Sequence, residues 1–430
     1  MGRLLALGDP LYAHGVGWAV LLIVVIKVLV AFGALLVSVM LMIWFERKVI
    51  SDMQSRIGPN RAGPWGLLQT LADGIKLFFK EDLLPERADR FVFKLAPYLS
   101  ILPAFLAFAI VPVGGVVTVF GHTFELQVAD PPVGILFLLA MSSVSVYGVM
   151  LAGWASGSKY PLLGSVRASA QMISYEAAFG MTVAMVVLLA GSLSTRTIVD
   201  AQSHTFIGSW YILRSGILPF FLFLIAITAE LNRPPFDLVE AEQELVGGFN
   251  TEYSSIRFAL FFMAEFMNTI TMSAVVVTLF LGGPDGPTAH VFILSWIIPV
   301  LWFLGKTLLF LFLYVWLRAA LPRLRYDQLM DLGWKVLIPL SLGWVLVLAA
   351  FLVSRWWGFG VIAALFVVGG LLVRSIVVGA EVADSIDADP DVGADGDGSG
   401  GGGPATGPPG TSGPGAAPAL RALDAPGTVT

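Results

Sequence analysis

Residues 16–45 read VGWAVLLIVVIKVLVAFGALLVSVMLMIWF, an apolar run broken only by Lys27. A bilayer core about 30 Å thick takes roughly 20 such residues as a helix, so this run is long enough to cross it. Eight more runs follow the same rule: Ala96–Phe120, Val133–Trp154, Met172–Leu193, Gly216–Ala229 with its flanks, Phe258–Gly282, Val291–Leu317, Val336–Val353 and Trp356–Val373. The fifth and eighth are the weakest by length. Over 430 residues the chain is 57% hydrophobic and 13% charged, a balance no water-soluble core of this size could hide. The fold class that follows is an all-α polytopic membrane protein. No basic stretch and small-residue cleavage site precede the first run, so it is expected to stay in place.

Charge gives the spans a direction. With the N-terminus outside, eighteen Lys and Arg residues fall in inner loops and inner helix ends, against four outside (Arg3, Arg196, Arg214 and Arg355). The inner loops are then 46–95, 155–171, 230–257 and 318–335, within a membrane domain of residues 1–380. Residues 381–430 hold eight acids and one Arg, then a Gly- and Pro-rich stretch without apolar periodicity, and are predicted to be a disordered tail. The formal net charge of -5 belongs to that tail, because the first 380 residues carry 24 basic against 22 acidic groups. Nine spans put the tail inside and eight would put it outside, which an accessibility label on the tail decides.

Residues Leu67–Lys80 are amphipathic rather than spanning. Leu68, Leu71, Ile75 and Phe78 recur at helical spacing opposite Gln69, Asp73, Lys76 and Lys80, the pattern of a helix in the membrane interface or packed on a neighbouring subunit. Just before it, Arg56-Ile57-Gly58-Pro59-Asn60-Arg61-Ala62-Gly63-Pro64 sets rigid turns between two arginines, suiting a fixed surface for a partner or a polar head group.

Ionisable groups inside spans cost several kcal/mol unless paired or hydrated, so each is a functional candidate. Glu176, Glu265 and Lys306 lie within spans, and Glu230 closes the fifth. After Glu230 comes AELNRPPFDLVEAEQELVGGFNTEY, where Glu230, Asp237, Glu240, Glu242, Glu244 and Glu252 face the single Arg233. A short helix over Leu238–Val246 is predicted there, stacking Glu240 and Glu244 on one face. Like charges this close raise one another's pKa, which suits proton uptake and release. Two plainer readings stay open: an acidic loop that docks basic partners, and span carboxylates paired to a Lys or Arg for packing, with Lys306 as one such partner. There is no cysteine, which excludes iron–sulfur ligation, disulfides and thiol catalysis within the chain. The four histidines (His14, His122, His204 and His290) fall outside and scattered, which argues against a haem or metal on the inner side.

Four blocks in order, RIGPNRAGPWGLLQTLADGIKLFFKED (56–82), SKYPLLGSVRASAQMISYE (158–176), AELNRPPFDLVEAEQELVGGFNTEYSS (229–255) and LPRLRYDQLMDLGWK (321–335), resemble the H-subunit family of bacterial NADH:quinone oxidoreductase, counterpart of mitochondrial complex I subunit 1. The resemblance runs from Phe45-Glu46-Arg47-Lys48 to about Leu342. It implies an eight-helix heel of the membrane arm, beside which the ninth run and the tail are additions. It also implies a quinone tunnel shared with the redox arm, and a proton path through Glu176, Glu230, Glu240, Glu242, Glu244, Glu252 and Glu265. Arg56, Arg61 and Asp73 map to the tunnel entrance and redox-arm contact, with Arg233 and Asp237 within the chamber. Quinone would be the substrate, and NADH, FMN and iron–sulfur clusters would sit on partner subunits. Two rivals remain: the equivalent heel of a membrane-bound hydrogenase-type complex, and a stand-alone ion-coupled transporter.

Overall fold

A computed structural model of the chain describes residues 11, 17–119, 122–203, 208–238, 246–287 and 294–387. All nine apolar runs carry a helix. Numbered in chain order, these are α1 (Trp18–Met53), α3 (Arg90–Phe108), α4 (Gly134–Ala155), α5 (Lys159–Ala190), α6 (Ile217–Glu230), α7 (Ser255–Phe280), α8 (Leu294–Ala320), α9 (Tyr326–Val353) and α10 (Arg355–Asp387), with the amphipathic α2 at Gln69–Phe79. Among the described residues seven helices are long and apolar enough to cross a membrane, while Ile217–Glu230 and Arg355–Leu371 are shorter apolar helices. The protein is an all-α polytopic membrane protein.

Four boundaries differ from expectation. The second run does not stay helical to Phe120: its helix ends at Phe108, and a hairpin follows with Val116–Val119 paired antiparallel to His122–Glu125. Pro112, Gly114 and Gly115 stop the helix, and the β-branched Val-Val-Thr-Val that follows suits a strand. The inner loop 155–171 is mostly helix, because Gly157 turns the chain at φ 65° and α5 starts two residues later at Lys159. At 32 residues α5 is about 48 Å long, so its polar first turns extend past the bilayer core. Loop 318–335 is likewise largely the start of α9, which passes through a π-helical segment at Leu332–Leu337. The last helix continues to Asp387, so residues 381–387 are helical rather than disordered. The predicted helix over Leu238–Val246 lies almost wholly outside the described residues, as do His14, His204 and His290.

The chain divides into two units, Met1–Leu365 and Phe366–Thr430. The second is described only as the continuation of α10 to Asp387. In the first, α7 is the central post. Thr269, Ile270, Thr271, Met272, Ser273 and Ala274 are all buried in succession, so this helix is enclosed on every side. The small residues permit close approach of its neighbours, and the hydroxyls of Thr269 and Ser273 return to the Glu265 and Thr269 carbonyls one turn back. By contrast, the N-terminal half of α1 is largely uncovered: Leu22, Leu29 and Val30 are exposed, as expected of a lipid-facing surface.

Three sets of hydrogen bonds tie the helices together near the cavities described below. Tyr175 O–H donates to the Leu329 carbonyl at 2.9 Å and Trp334 Nε1 donates to Ser174 Oγ at 3.1 Å, tying α9 to α5. Gln171 Nε2 donates to the Ala229 and Phe236 carbonyls, each at 2.8 Å, and so clamps the Asn232-Arg233-Pro234-Pro235 turn against α5. Ser255 Oγ donates to the Leu77 and Lys80 carbonyls at 2.9 and 2.8 Å, fixing the end of α2 to the start of α7.

Candidate functional site

Two cavities lie among α1, α3, α4, α5, α6, α7 and α8. The smaller, about 70 Å³, is lined by Ser100, Ser145, Glu230, Asn232, Asp237, Asn250, Glu265 and Asn268 among apolar neighbours. The larger, about 470 Å³, is lined by Ile43, Glu46, Arg47, Ile50, Ser51, Phe262, Phe266 and Arg318 together with the 56–59 loop. That loop is locked in place. Gly66 has φ 78°, and a Cβ there would come within 2.4 Å of the Pro59 carbonyl, so a side chain cannot be accommodated.

A buried ion network stands between the cavities. Arg233, 3% exposed, binds Glu46 through Nη1 at 3.1 Å and Glu265 through Nη2 at 3.3 Å, with its guanidinium over the Phe266 ring at 4.6 Å. Arg318 pairs with the other oxygen of Glu46. Glu265 lines the small cavity and Glu46 the large one, so one planar guanidinium touches the wall of each. Glu265 therefore has its cation in Arg233. Lys306 does not fill that role: it donates to the Leu281, Gly283 and Asp285 carbonyls at 2.8, 3.1 and 2.7 Å, past the other end of α7.

The remaining acids lie one step further in. Glu230, 1% exposed, accepts from Ser142 Oγ at 2.5 Å, and Glu176 accepts from Ser143 Oγ. Glu252 is half-buried in the turn before α7. Glu240, Glu242 and Glu244 lie outside the described residues.

At the rim, Asp73 of α2 pairs with Arg47 at 2.7 Å and with Lys76 at 3.6 Å. Burial pushes its carboxyl up, but the Arg47 hydrogen bond and charge, with Lys76 and Gln69, outweigh that and hold it below its ordinary value. Arg56 lines the large cavity, while Arg61 is exposed on the loop. The apolar face of α2 is exposed too, with Leu71, Ile75 and Phe78 uncovered.

The structure thus brings Glu176, Glu230, Asp237, Arg233 and Glu265 together and leaves Lys306 apart. It adds Glu46, Arg318 and the Ser142–Ser143 pair, which sequence reading passes over. Glu46 stands one residue beyond the first apolar run, where a charge looks like an ordinary helix end.

Comparison with known proteins agrees in one direction. A model of the family described as NADH dehydrogenase matches residues 26–349. The chain is 54% identical over 337 residues to the NADH-quinone oxidoreductase H subunit of Frankia alni, covering 77% of this chain and 73% of that one. It is 51% identical over 383 residues to the corresponding protein of Frankia casuarinae, covering 85% and 83%. The like-named protein of Streptomyces avermitilis is 50% identical over 367 residues, covering 82% and 78%.

Proposed function

Because the chain belongs to the NADH dehydrogenase family, as a membrane subunit of NADH-quinone oxidoreductase, we propose that its two cavities divide quinone binding from proton handling. The large cavity is the quinone chamber's share in this chain. Ile43, Ile50, Phe262 and Phe266 suit an apolar chain, and Arg47, Arg56 and Arg318 suit ring oxygens that gain charge on reduction. The RIGPNR loop, with Arg56 and Arg61, and α2, with Asp73, form the entrance and the redox-arm contact. The small cavity with Glu230, Glu265 and Asp237, continued by Glu176, is the start of the proton path. Glu240, Glu242, Glu244, Glu252 and Lys306 belong to that path as well.

Reduction of quinone takes two electrons and two protons. Electrons arrive from partner subunits that carry the FMN and iron–sulfur clusters and oxidise NADH. The change of charge at the ring is felt by Glu46, shifts the balance of Arg233 between Glu46 and Glu265, and so alters proton affinity in the small cavity. Other membrane-arm subunits leading to antiporter-like subunits carry the response onward. The chain sits in the cell inner membrane with its N-terminus outside and its tail inside, as its eighteen inner cations support.

The observation that carries this reading is the Arg233 bridge from Glu46 to Glu265. Its test is Glu46→Gln and Glu265→Gln in assembled complex, each expected to lower quinone reductase rate and protons moved per electron. If both variants keep both quantities intact, the coupling role is wrong. The hydrogenase-type heel and the stand-alone transporter are not favoured, since the relatives above carry the NADH-quinone oxidoreductase name. Copurification of a nickel–iron module, or transport by the chain alone in liposomes, would reverse that.

A further inference from the structure

Ser142 and Ser143 interrupt the apolar stretch of α4, Gly134-Ile135-Leu136-Phe137-Leu138-Leu139-Ala140-Met141. Successive helix residues diverge by about 100°, and these two hydroxyls reach different helices: Ser142 to Glu230 on α6 and Ser143 to Glu176 on α5. Each carboxylate is thus held by one of two neighbouring residues of the same helix. Ser143 Oγ also lies 3.1 Å from the Leu139 carbonyl, one turn back. A hydroxyl donates one proton and accepts others, so Ser143 has two complete arrangements. With Glu176 ionised, Ser143 donates to the carboxylate. With Glu176 protonated, the acid donates to Ser143 Oγ and the serine turns its proton to Leu139.

Glu230 has the complementary arrangement. One oxygen accepts from Ser142, while Oε2, Ser100 Oγ and Asn250 Oδ1 are buried without a protein hydrogen-bond partner and belong to residues lining the small cavity. Buried polar atoms of this kind are satisfied by ordered water, and about 70 Å³ accommodates roughly two molecules. Asp237 and Glu265 are the charged groups on the other walls, and Arg233 pairs with Glu265.

We propose that Ser142 and Ser143 are positioning residues that hold Glu230 and Glu176 in place in either protonation state, so that a proton given up by one carboxyl is received by the other. The proton leaves a carboxylic acid and arrives on a carboxylate, and each serine ends with the hydroxyl proton count it began with. This rests on the proton-path reading above.

The test uses the assembled complex with Ser143→Ala, Ser142→Ala and the corresponding Thr variants. Assembly is scored separately by NADH oxidation with a water-soluble acceptor, a reaction of the partner subunits. Each Ala variant is expected to lower quinone-linked proton translocation about 10-fold, the kinetic equivalent of one charge-assisted hydrogen bond, and to raise the solvent deuterium isotope effect. Ser143→Thr, which keeps the hydroxyl, is expected to restore both. Unchanged translocation and isotope effect in Ser143→Ala overturn the proposal. So does a Ser143→Thr variant that assembles and behaves like Ala. Glu176→Gln is the control: if it keeps full coupling, the proton-path reading fails, whereas its loss beside an intact Ser143→Ala sinks only the serine pair.

Discussion

Arg233 is the residue on which the site turns, because it is itself buried and is the cation that Glu46 and Glu265 share. Removing one partner of a buried pair leaves an uncompensated charge and costs about 3–5 kcal/mol. Arg233→Met is therefore expected to lower the thermal stability of the assembled complex. Arg233→Lys keeps the charge but loses the planar fork, so it can hold Glu46 or Glu265 but not both. It is expected to assemble, keep quinone binding and lose protons moved per electron, and a fully coupled Lys variant would refute the bridge. Glu176, Glu230 and Glu265 were legible in the sequence because a charge in or at the end of an apolar run stands out from its neighbours. Glu46 was not, since it falls at the run's end, and the serines were not, since a hydroxyl inside a membrane helix normally bonds its own backbone. The pairing of Glu265 was also illegible: Lys306 and Arg233 are both single cations in sequence, and only packing chooses between them.

At the scale of the element, α2 is the part most fully read from periodicity, with Leu67–Lys80 expected and Gln69–Phe79 observed. Its anchors were not readable, because they come from α1 and α7: Arg47 on Asp73, and Ser255 on the last carbonyls. The folded Asp73 value lies below the ordinary 3.8, so the ion pair supports docking of α2 above that value. It is lost only as pH falls through the lower folded value. Both side chains are partly exposed, so the pair contributes only about 0.5 kcal/mol. Hydrogen exchange of the Gln69–Phe79 amides is expected to stay flat on acidification until below the ordinary carboxylate range and then quicken. Asp73→Asn should remove that acid-dependent step, and a step of equal size in the variant would assign it elsewhere. Helix boundaries were the weakest reading, as α5 illustrates: its polar first turns look like a loop until the helix is seen to outrun the bilayer.

At the scale of the whole molecule, the all-α polytopic fold followed from apolar length, whereas the gathering of seven helices around two cavities did not. Hydropathy says which segments cross and nothing of which cross side by side. That gathering, with one guanidinium shared across the dividing wall, has a thermodynamic corollary. Whatever factor a protonation event in the small cavity applies to the affinity of the large one, occupancy of the large one must apply to proton affinity in return. Quinone-site inhibitors are therefore expected to bind the resting complex with proton uptake or release, giving a binding enthalpy that varies with the ionisation heat of the buffer. That dependence should shrink in Arg233→Lys, and a buffer-independent enthalpy in the unmodified complex would contradict it. A coupling of about 1–3 kcal/mol is the usual size of such an exchange, and it makes an inhibitor of the chamber a titrant of the acids behind it.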